Sequence, residues 1–190
     1  MSAIPEKRMT AEEFIVWEEG VAGRYELVDG MVIAQAAERA AHVRTKAKVH
    51  NALDAAIRRA GAPSHAMADG MAVRIDKSTV FEPDAHVYCG PELPGDALFS
   101  ERPIIVVEVI SPSTGRNDAL GKLEGYFRLT SVRHYLILSP DEPLVIHHAR
   151  GEGETIQTRI FRSGVIALNP PGLGLDLTDI YGAAIPEGAA

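Results

Sequence analysis

The centre of the chain contains two apolar runs, Ile104-Ile105-Val106-Val107-Glu108-Val109-Ile110 and His134-Tyr135-Leu136-Ile137-Leu138-Ser139. Each has the length and the β-branched or aliphatic content of a buried strand. A turn rich in Ser, Pro and Gly follows the first run, and a helical stretch then extends from Asn117 or Asp118 to about Leu129. Strand, helix and strand in this order form a βαβ unit, whose two strands we expect to be parallel with a right-handed crossover. The sequence therefore predicts an α/β domain.

The N-terminal region predicts a short helix followed by a β-hairpin. Thr10-Ala11-Glu12-Glu13 has the form of a capping box, in which the first and fourth residues satisfy each other's backbone donors. Asp29-Gly30 separates two β-rich runs at residues 24–28 and 31–34. This dipeptide indicates a hairpin because both positions of its turn need a positive φ.

A long helix is predicted over residues 38–60, ended by a Gly and a Pro. Its helically spaced positions, expected to face the core, are Val43, Ala47, His50, Leu53 and Ile57. Further strands are predicted at residues 71–75, 80–88, 144–148 and 155–161. The Gly/Pro-rich C-terminus is expected to be irregular.

Length and composition limit the possible classes of protein. With 190 residues, 46% hydrophobic and 24% charged, the chain is predicted to be one globular domain, residues 1–190. Within it we expect a core at residues 9–140, a β-rich extension at 141–182 and a flexible tail at 183–190. The formal charge of −7 gives no general attraction to a phosphate backbone, so a nucleic-acid partner would need a local basic groove or bound metal ions.

One cysteine, Cys89, excludes an internal disulfide and fits a cytoplasmic location. The N-terminus lacks the apolar core of a signal peptide. No apolar run approaches the roughly 20 residues that span a bilayer. We therefore expect no membrane partner.

Glu108 interrupts a strand that is apolar on both faces. Such a strand is covered on both faces, and an ionised carboxylate there costs several kcal/mol unless a cation, a metal or N–H donors compensate it. Asp84 follows Pro83 at the start of another apolar strand, Ala85-His86-Val87-Tyr88. If the two strands are neighbours, both carboxylates lie within reach of one Mg²⁺ ion.

Lys122 lies early in the helix that follows the Glu108 strand. From this position its flexible ammonium can extend back over the end of the strand. A solvated lysine, or a surface pair with Asp118, is the alternative. Tyr126 lies one helical turn further along, where it either supports the site or packs.

Five stretches, in this order, resemble the Uma2 family of restriction endonuclease-like proteins in the PD-(D/E)XK nuclease superfamily. They are Met9 to Phe14, Arg24 to Gly30, Glu82-Pro83-Asp84, Val106 to Thr114, and Asp118 through Lys122 to Tyr126. In the usual superfamily pattern the lysine follows the acid by two residues, a position that Ile110 holds here. The family instead carries its lysine on the next helix. Where the family often has Tyr-Trp, this chain has Tyr135-Leu136.

The resemblance implies a restriction endonuclease-like core: a mixed β-sheet flanked by helices, with the N-terminal helix and hairpin added. It implies a metal-dependent endonuclease acting on DNA, in which Asp84 and Glu108 hold Mg²⁺, with Mn²⁺ as an alternative, and Lys122 serves catalysis. Glu26 matches the family's upstream acidic position, although its place on a strand fits an outward, solvated residue equally well. A homodimer is expected, because cleavage of both strands needs two active sites.

Three residues are candidates for nucleic-acid binding. His42 matches a histidine near the start of the family's long helix, although a polar residue flanking the helix is an equally good interpretation. Tyr126 lies on the helix of Lys122, whereas Arg116, just before that helix, and Lys77 are candidate phosphate contacts by location alone.

Other functions remain open at this point. A catalytically degenerate nuclease fold could act as a nucleic-acid-binding or dimeric interaction module. A serine hydrolase using Ser111 or Ser113 lacks the Gly-x-Ser-x-Gly elbow. A metal site at His147-His148 is disfavoured because adjacent strand residues point to opposite faces, and Cys89 has only a Pro/Gly loop around it.

Overall fold

The computed structural model describes residues 4–5, 7–110 and 116–182, and for residues 116–120 it describes the backbone only. The elements are α1 (Ala11–Glu18), β1 (Tyr25–Val28), β2 (Met31–Ala34), α2 (Ala40–Ala60), β3 (Ser64–Ala68), β4 (Val73–Arg74), β5 (Val80–Phe81), β6 (Ala85–Cys89), β7 (Pro103–Val109), α3 (Arg116–Arg128), β8 (His134–Leu138), β9 (Val145–Arg150), β10 (Ile156–Phe161), β11 (Val165–Leu168), β12 (Leu173–Asp176) and α4 (Leu177–Tyr181).

A six-stranded mixed sheet, in the order β10-β9-β8-β7-β6-β3, forms the centre of the molecule. β7 and β8 are parallel, with Ile105 opposite His134 and Val109 opposite Leu138. The other pairs in this sheet are antiparallel. The predicted βαβ unit is therefore confirmed, and so is the expected mixed sheet flanked by helices. β9 and β10 continue the same sheet, so the sheet has no break at residue 140.

A smaller four-stranded sheet, in the order β2-β1-β5-β4, contains the predicted hairpin. Asp29 and Gly30 have φ values of 49° and 81°, as the two-residue turn requires. The capping box of α1 is formed as predicted, because the Thr10 side chain accepts from the Glu13 backbone and the Glu13 side chain accepts from the Thr10 backbone. Together α1 and the hairpin enclose a small apolar cluster around Phe14 and Leu27.

The two faces of the six-stranded sheet are covered by different helices. α2 packs through residues such as Val49 and Leu53 on the face that carries Ile105 and Val107. α3 covers the opposite face, where Tyr126 packs in one cluster with Val106 and Tyr135. β7 is therefore buried on both sides, which explains its almost wholly apolar sequence.

The buried face of α2 differs from the predicted one. Leu53 and Ile57 are buried as expected, but Val43 is 52% exposed. The face turned inward includes Thr45, Lys46, Val49, Ala52 and Ala56. The prediction was wrong because it assumed that apolar residues at the start of the helix face the core. In this part of α2, polar side chains face the centre of the protein instead.

Two further predictions need correction, and one strand was not predicted. Residues 80–88 form two strands, β5 and β6, which belong to different sheets and are separated by residues 82–84. β3 was not predicted, and the strand expected over residues 71–75 is only two residues long.

The C-terminal region is ordered rather than irregular through residue 182. β11 and β12 form a hairpin, and α4 follows it. Ile166, Leu168, Leu175 and Leu177 from this region are fully buried in the α2-side core. The tail predicted at 183–190 lies outside the described residues. Among the described helices, none is long and apolar enough to cross a membrane.

Candidate functional site

Asp84 and Glu108 are brought together by the pairing of β6 with β7. In this antiparallel pair Ala85 lies opposite Val107, so Asp84, one residue before β6, continues the register toward Glu108. The Val109 N–H donates to Asp84 Oδ2 at 2.6 Å and ties the two strand ends together. The neighbouring-strand arrangement inferred from the sequence is thus present.

These residues open into a cavity of about 300 Å³. Its wall is rich in charged side chains from the hairpin, α2, both strand ends and α3. The ionisable ones are Arg24, Glu26, Glu38, Arg39, His42, Glu82, Asp84, Glu108, Lys122 and Asp141. Asp84, Glu108, Lys122 and Glu26, which are far apart in sequence, therefore lie along one cavity.

Glu108 is only 5% exposed. Its Oε1 accepts hydrogen bonds from Lys122 Nζ at 3.0 Å and from the Tyr126 hydroxyl at 2.6 Å. Burial raises the pKa of Glu108 to about 8, against the opposing effect of Lys122. Asp84 and Glu26 add to the rise, because a third negative charge at this place is disfavoured.

Asp84 is also buried, but its pKa moves the other way. Burial opposes ionisation, yet a hydrogen bond from His42 and the charge of Lys46 outweigh it and hold the pKa of Asp84 below its usual value. Lys46 Nζ lies 2.7 Å from Asp84 Oδ1, and His42 Nε2 lies 3.4 Å from Oδ2. Asp84 is therefore a carboxylate with partners at both oxygens.

Lys122 lies between two carboxylates rather than in solvent. Its Nζ is 2.9 Å from Glu26 Oε1 and 3.0 Å from Glu108 Oε1. Glu26 is 3% exposed and points inward, so the outward, solvated interpretation of this residue does not hold. The Glu82 backbone N–H and the Gln35 side chain also donate to Glu26 and fix its position.

Sequence reasoning missed the charged residues on the α2 side of the cavity. Lys46 is 5% exposed and contacts Glu38, Asp69 and Asp84. Arg24 forms ion pairs with Glu38 and Asp69 and lies 3.5 Å from Glu82. One signal was available, since His42, Lys46, Val49 and Leu53 share one helical face by their spacing.

The three candidate nucleic-acid contacts have different surroundings. The side chain of His42 is 21% exposed and lines the cavity beside Asp84. Tyr126 is fully buried, and its hydroxyl donates to Glu108. We therefore correct its role to that of a residue that supports Glu108, because a side chain with no exposed surface cannot reach a nucleic acid. Arg116 begins α3, and its side chain lies outside the described residues; Lys77 is exposed and does not line the cavity.

The charge balance of the cavity fits a bound cation. Six of its lining side chains are carboxylates, against three from Lys or Arg. Among the described residues, Glu38, His42 and Asp84 offer ligand atoms that all lie within 4.8 Å of one another. Carboxylate oxygens and an imidazole nitrogen are suitable ligands for divalent ions such as Mg²⁺ and Mn²⁺. The residues present therefore fit a divalent metal, which would also offset the repulsion of a phosphate from this wall.

The alternative sites have ordinary surroundings where they are described. His147 is buried 2.9 Å from His134, whereas His148 contacts Thr158, so the adjacent histidines do not share a site. Cys89 is exposed beside Ser64. Ser111 and Ser113 lie outside the described residues.

A solved structure shares the fold of this chain. The structure matches the crystal structure of a protein from Anabaena variabilis that is titled a putative nuclease of a family of unknown function, with a TM-score of 0.70. The match covers 91% of this chain and 97% of that one at 15% sequence identity. The two proteins therefore share the same α/β fold.

The chain also matches a known family at the level of its sequence. The sequence model of the Uma2 family, described as "Putative restriction endonuclease", matches residues 11–180. This is most of the chain, and the protein belongs to that family. An uncharacterized protein of Synechocystis sp. is 26% identical over 183 residues, which are 93% of each chain.

Proposed function

We propose that the protein is a metal-dependent endonuclease that hydrolyses phosphodiester bonds in DNA. The observation that carries this proposal is the convergence of Asp84, Glu108 and Lys122 on one carboxylate-rich cavity. Membership of a restriction endonuclease-like family supports the reaction class. The resemblance of the sequence motifs to a nuclease site and the buried geometry point to the same residues.

Asp84 and Glu108 would hold Mg²⁺, or Mn²⁺ in its place. When bound, the ion supplies a Lewis acid that neutralises charge at the scissile phosphate. Lys122, held by Glu26 and Glu108, would donate to the attacking water or to a phosphate oxygen and stabilise negative charge as it develops. Glu26 positions this ammonium, and Tyr126 positions Glu108.

Two residues are proposed to contact DNA. His42 lines the cavity beside Asp84 and is exposed enough to meet a substrate. Arg116, at the start of α3, is the proposed phosphate contact. Because the chain carries a formal charge of −7, we expect the affinity for DNA to depend on the divalent ion as well as on these side chains.

A homodimer is proposed to place two such sites on the two DNA strands. β10 is an edge strand of the six-stranded sheet and is exposed along most of its length. Antiparallel pairing with a second copy about Thr158 would set Ile156 opposite Ile160 and Glu154 opposite Arg162 of that copy. The exposed apolar and charged residues of this edge are thus complementary to themselves.

The alternative proposal, an inactive nuclease fold that binds nucleic acid or a partner, makes a different demand on the site. An inactive module would keep Asp84, Glu108 and Lys122 in one cavity but would not cleave a substrate there. The grouping of Glu26, Asp84 and Glu108 around Lys122 in one cavity supports the active interpretation, because burying several carboxylates together is destabilising unless the site gains from it.

The test uses supercoiled plasmid with Mg²⁺ or Mn²⁺ and measures nicking by gel, with metal binding by calorimetry on the same samples. We expect wild-type protein to nick and to bind metal, and Asp84→Asn and Glu108→Gln to lose both. Asp54→Asn, which alters an exposed carboxylate paired with Arg58 on α2, is the matched control and should match wild type.

Nicking by Asp84→Asn at the wild-type rate would contradict the proposed site. Metal binding by wild type without cleavage of plasmid, single-stranded DNA or RNA would favour the inactive module.

A further inference from the structure

Lys46 is a buried ammonium surrounded by three carboxylates. Its Nζ lies 2.6 Å from Glu38 Oε1, 2.7 Å from Asp69 Oδ2 and 2.7 Å from Asp84 Oδ1. Only 5% of the side chain is exposed. A lysine is almost never buried to this extent unless it is paired. Lys46 forms ion pairs with three carboxylates.

The three carboxylates come from separate parts of the chain. Glu38 precedes α2, Asp69 follows β3 and Asp84 precedes β6. Arg24 also pairs with Glu38 and Asp69, but Lys46 contacts all three carboxylates, whose negative charges would otherwise repel one another. Oxygen ligands converging from separate elements also form the usual setting of a hard divalent cation.

The same place overlaps a possible metal site. Glu38, His42 and Asp84 could together ligate an ion, and two of these residues are partners of Lys46. Lys46 contacts Oε1 of Glu38 and Oδ1 of Asp84. A divalent ion bound there would share Glu38 and Asp84 with the ammonium, and the two positive charges would repel each other.

We propose that Lys46 is a built-in cation that occupies a second cation position beside Asp84, so that the cavity takes one divalent ion and not two. This inference rests on the proposed function for the first ion, which Asp84 and Glu108 would hold. Neutralising Lys46 should convert its position into a metal site with Glu38, His42 and Asp84 as ligands.

The experiment counts Mn²⁺ ions bound to the full chain by calorimetry, with the free ion measured by electron paramagnetic resonance. We expect one ion in wild type and one in Lys46→Arg, which keeps the charge. Lys46→Met should bind two, and Lys46→Met combined with Glu38→Gln should return to one. Two ions in wild type, or an unchanged count in Lys46→Met, would overturn the proposal.

The outcomes separate this inference from the proposed function. If wild type binds no Mn²⁺ but Lys46→Met binds one ion that Glu38→Gln removes, Lys46 occupies a latent cation site and the proposed metal-dependent function fails. If Lys46→Met does not fold alone, Mn²⁺ should restore its folding as followed by circular dichroism. A variant that stays unfolded at every Mn²⁺ concentration would contradict the role of Lys46 as a replaceable cation.

Discussion

Glu108 is the one ionisable residue of the apolar strand β7. Two donors, from Lys122 and Tyr126, meet at its Oε1. They offset only part of the effect of burial, which raises the pKa to about 8. A bound metal ion would add positive charge beside Glu108 and favour its ionised form. We therefore expect metal binding to be linked to proton release.

Tyr126→Phe tests this linkage. The Tyr126 hydroxyl stabilises the ionised form of Glu108, so its loss should raise the pKa of Glu108 further. A hydrogen bond to a charged group is worth about 1.5–3 kcal/mol, which corresponds to at least a tenfold loss of Mn²⁺ affinity at pH 7. Because ionised Glu108 is the form that binds metal, the rise of nicking with pH should move to higher pH, with a smaller deficit at pH 9.

Tyr88→Phe is the matched control. The Tyr88 hydroxyl accepts from the Leu93 N–H and does not line the cavity. We expect its Mn²⁺ affinity and pH profile to match wild type. A pH profile of Tyr126→Phe that coincides with that of wild type would show that the Tyr126 hydroxyl does not control Glu108.

Among the helices, α3 presents Lys122 and Tyr126 to the site one turn apart. Gly125, between them, is buried against Phe81, whose ring also lies 5.8 Å from Lys122 Nζ. A Cβ at position 125 would come within 2.4 Å of the Phe81 ring. The absence of a side chain at Gly125 thus allows α3 to approach β5 closely.

Gly125→Ala is expected to destabilise the protein. Overpacking a buried site costs about 1–3 kcal/mol. The better helix propensity of Ala returns at most about 1 kcal/mol. We expect a net loss of up to about 2 kcal/mol in the free energy of unfolding, measured by urea denaturation.

Gly121→Ala is the control on the same helix. Gly121 is exposed, and a Cβ there would meet nothing within 4 Å. This change should stabilise the protein by up to about 1 kcal/mol through helix propensity alone. Equal effects of the two substitutions would mean that the contact with Phe81 does not limit the position of α3.

At the scale of the whole molecule, β10 forms an exposed edge of the six-stranded sheet. Ile160 on β10 is 66% exposed and Ile156 is 39% exposed. Edge strands of this kind are available for pairing unless charge or a bulge blocks them. The self-complementary order of residues along β10 makes a second copy of the chain the occupant that we propose.

Ile160→Glu should convert dimers to monomers, because it places a charge opposite Ile156 of the second copy. Glu154→Arg should weaken the dimer by setting like charges opposite each other, and adding Arg162→Glu should restore it. Val16→Glu, at a residue of α1 that is 71% exposed, is the control and should leave the dimer unchanged. Sedimentation measures the dimerisation of wild type and of these four variants. A monomeric wild type, or an unchanged dimer affinity in Ile160→Glu, would contradict this interface.

Much of the fold and the site could be predicted from local patterns. The β7–α3–β8 unit, the hairpin at Asp29-Gly30 and the capping box at Thr10 each depend on residues close together in the sequence. Asp84 and Glu108 were identifiable because a carboxylate stands out within or beside an apolar strand. The C-terminal hairpin was missed because its order comes from burial against α2, which its Gly/Pro-rich composition does not show.

Local sequence patterns are sufficient to predict the parallel strand pair, the helix that carries Lys122 and the carboxylates at the strand ends. The inward orientation of Glu26 and the burial of Lys46 among three carboxylates follow only from tertiary packing. A strand residue can face either side until its sheet is packed, and a helical lysine is solvated unless distant residues enclose it. The electrostatics of the cavity depend on these distant contacts, which is why its charge balance emerges only when the hairpin, α2 and α3 are assembled around the sheet.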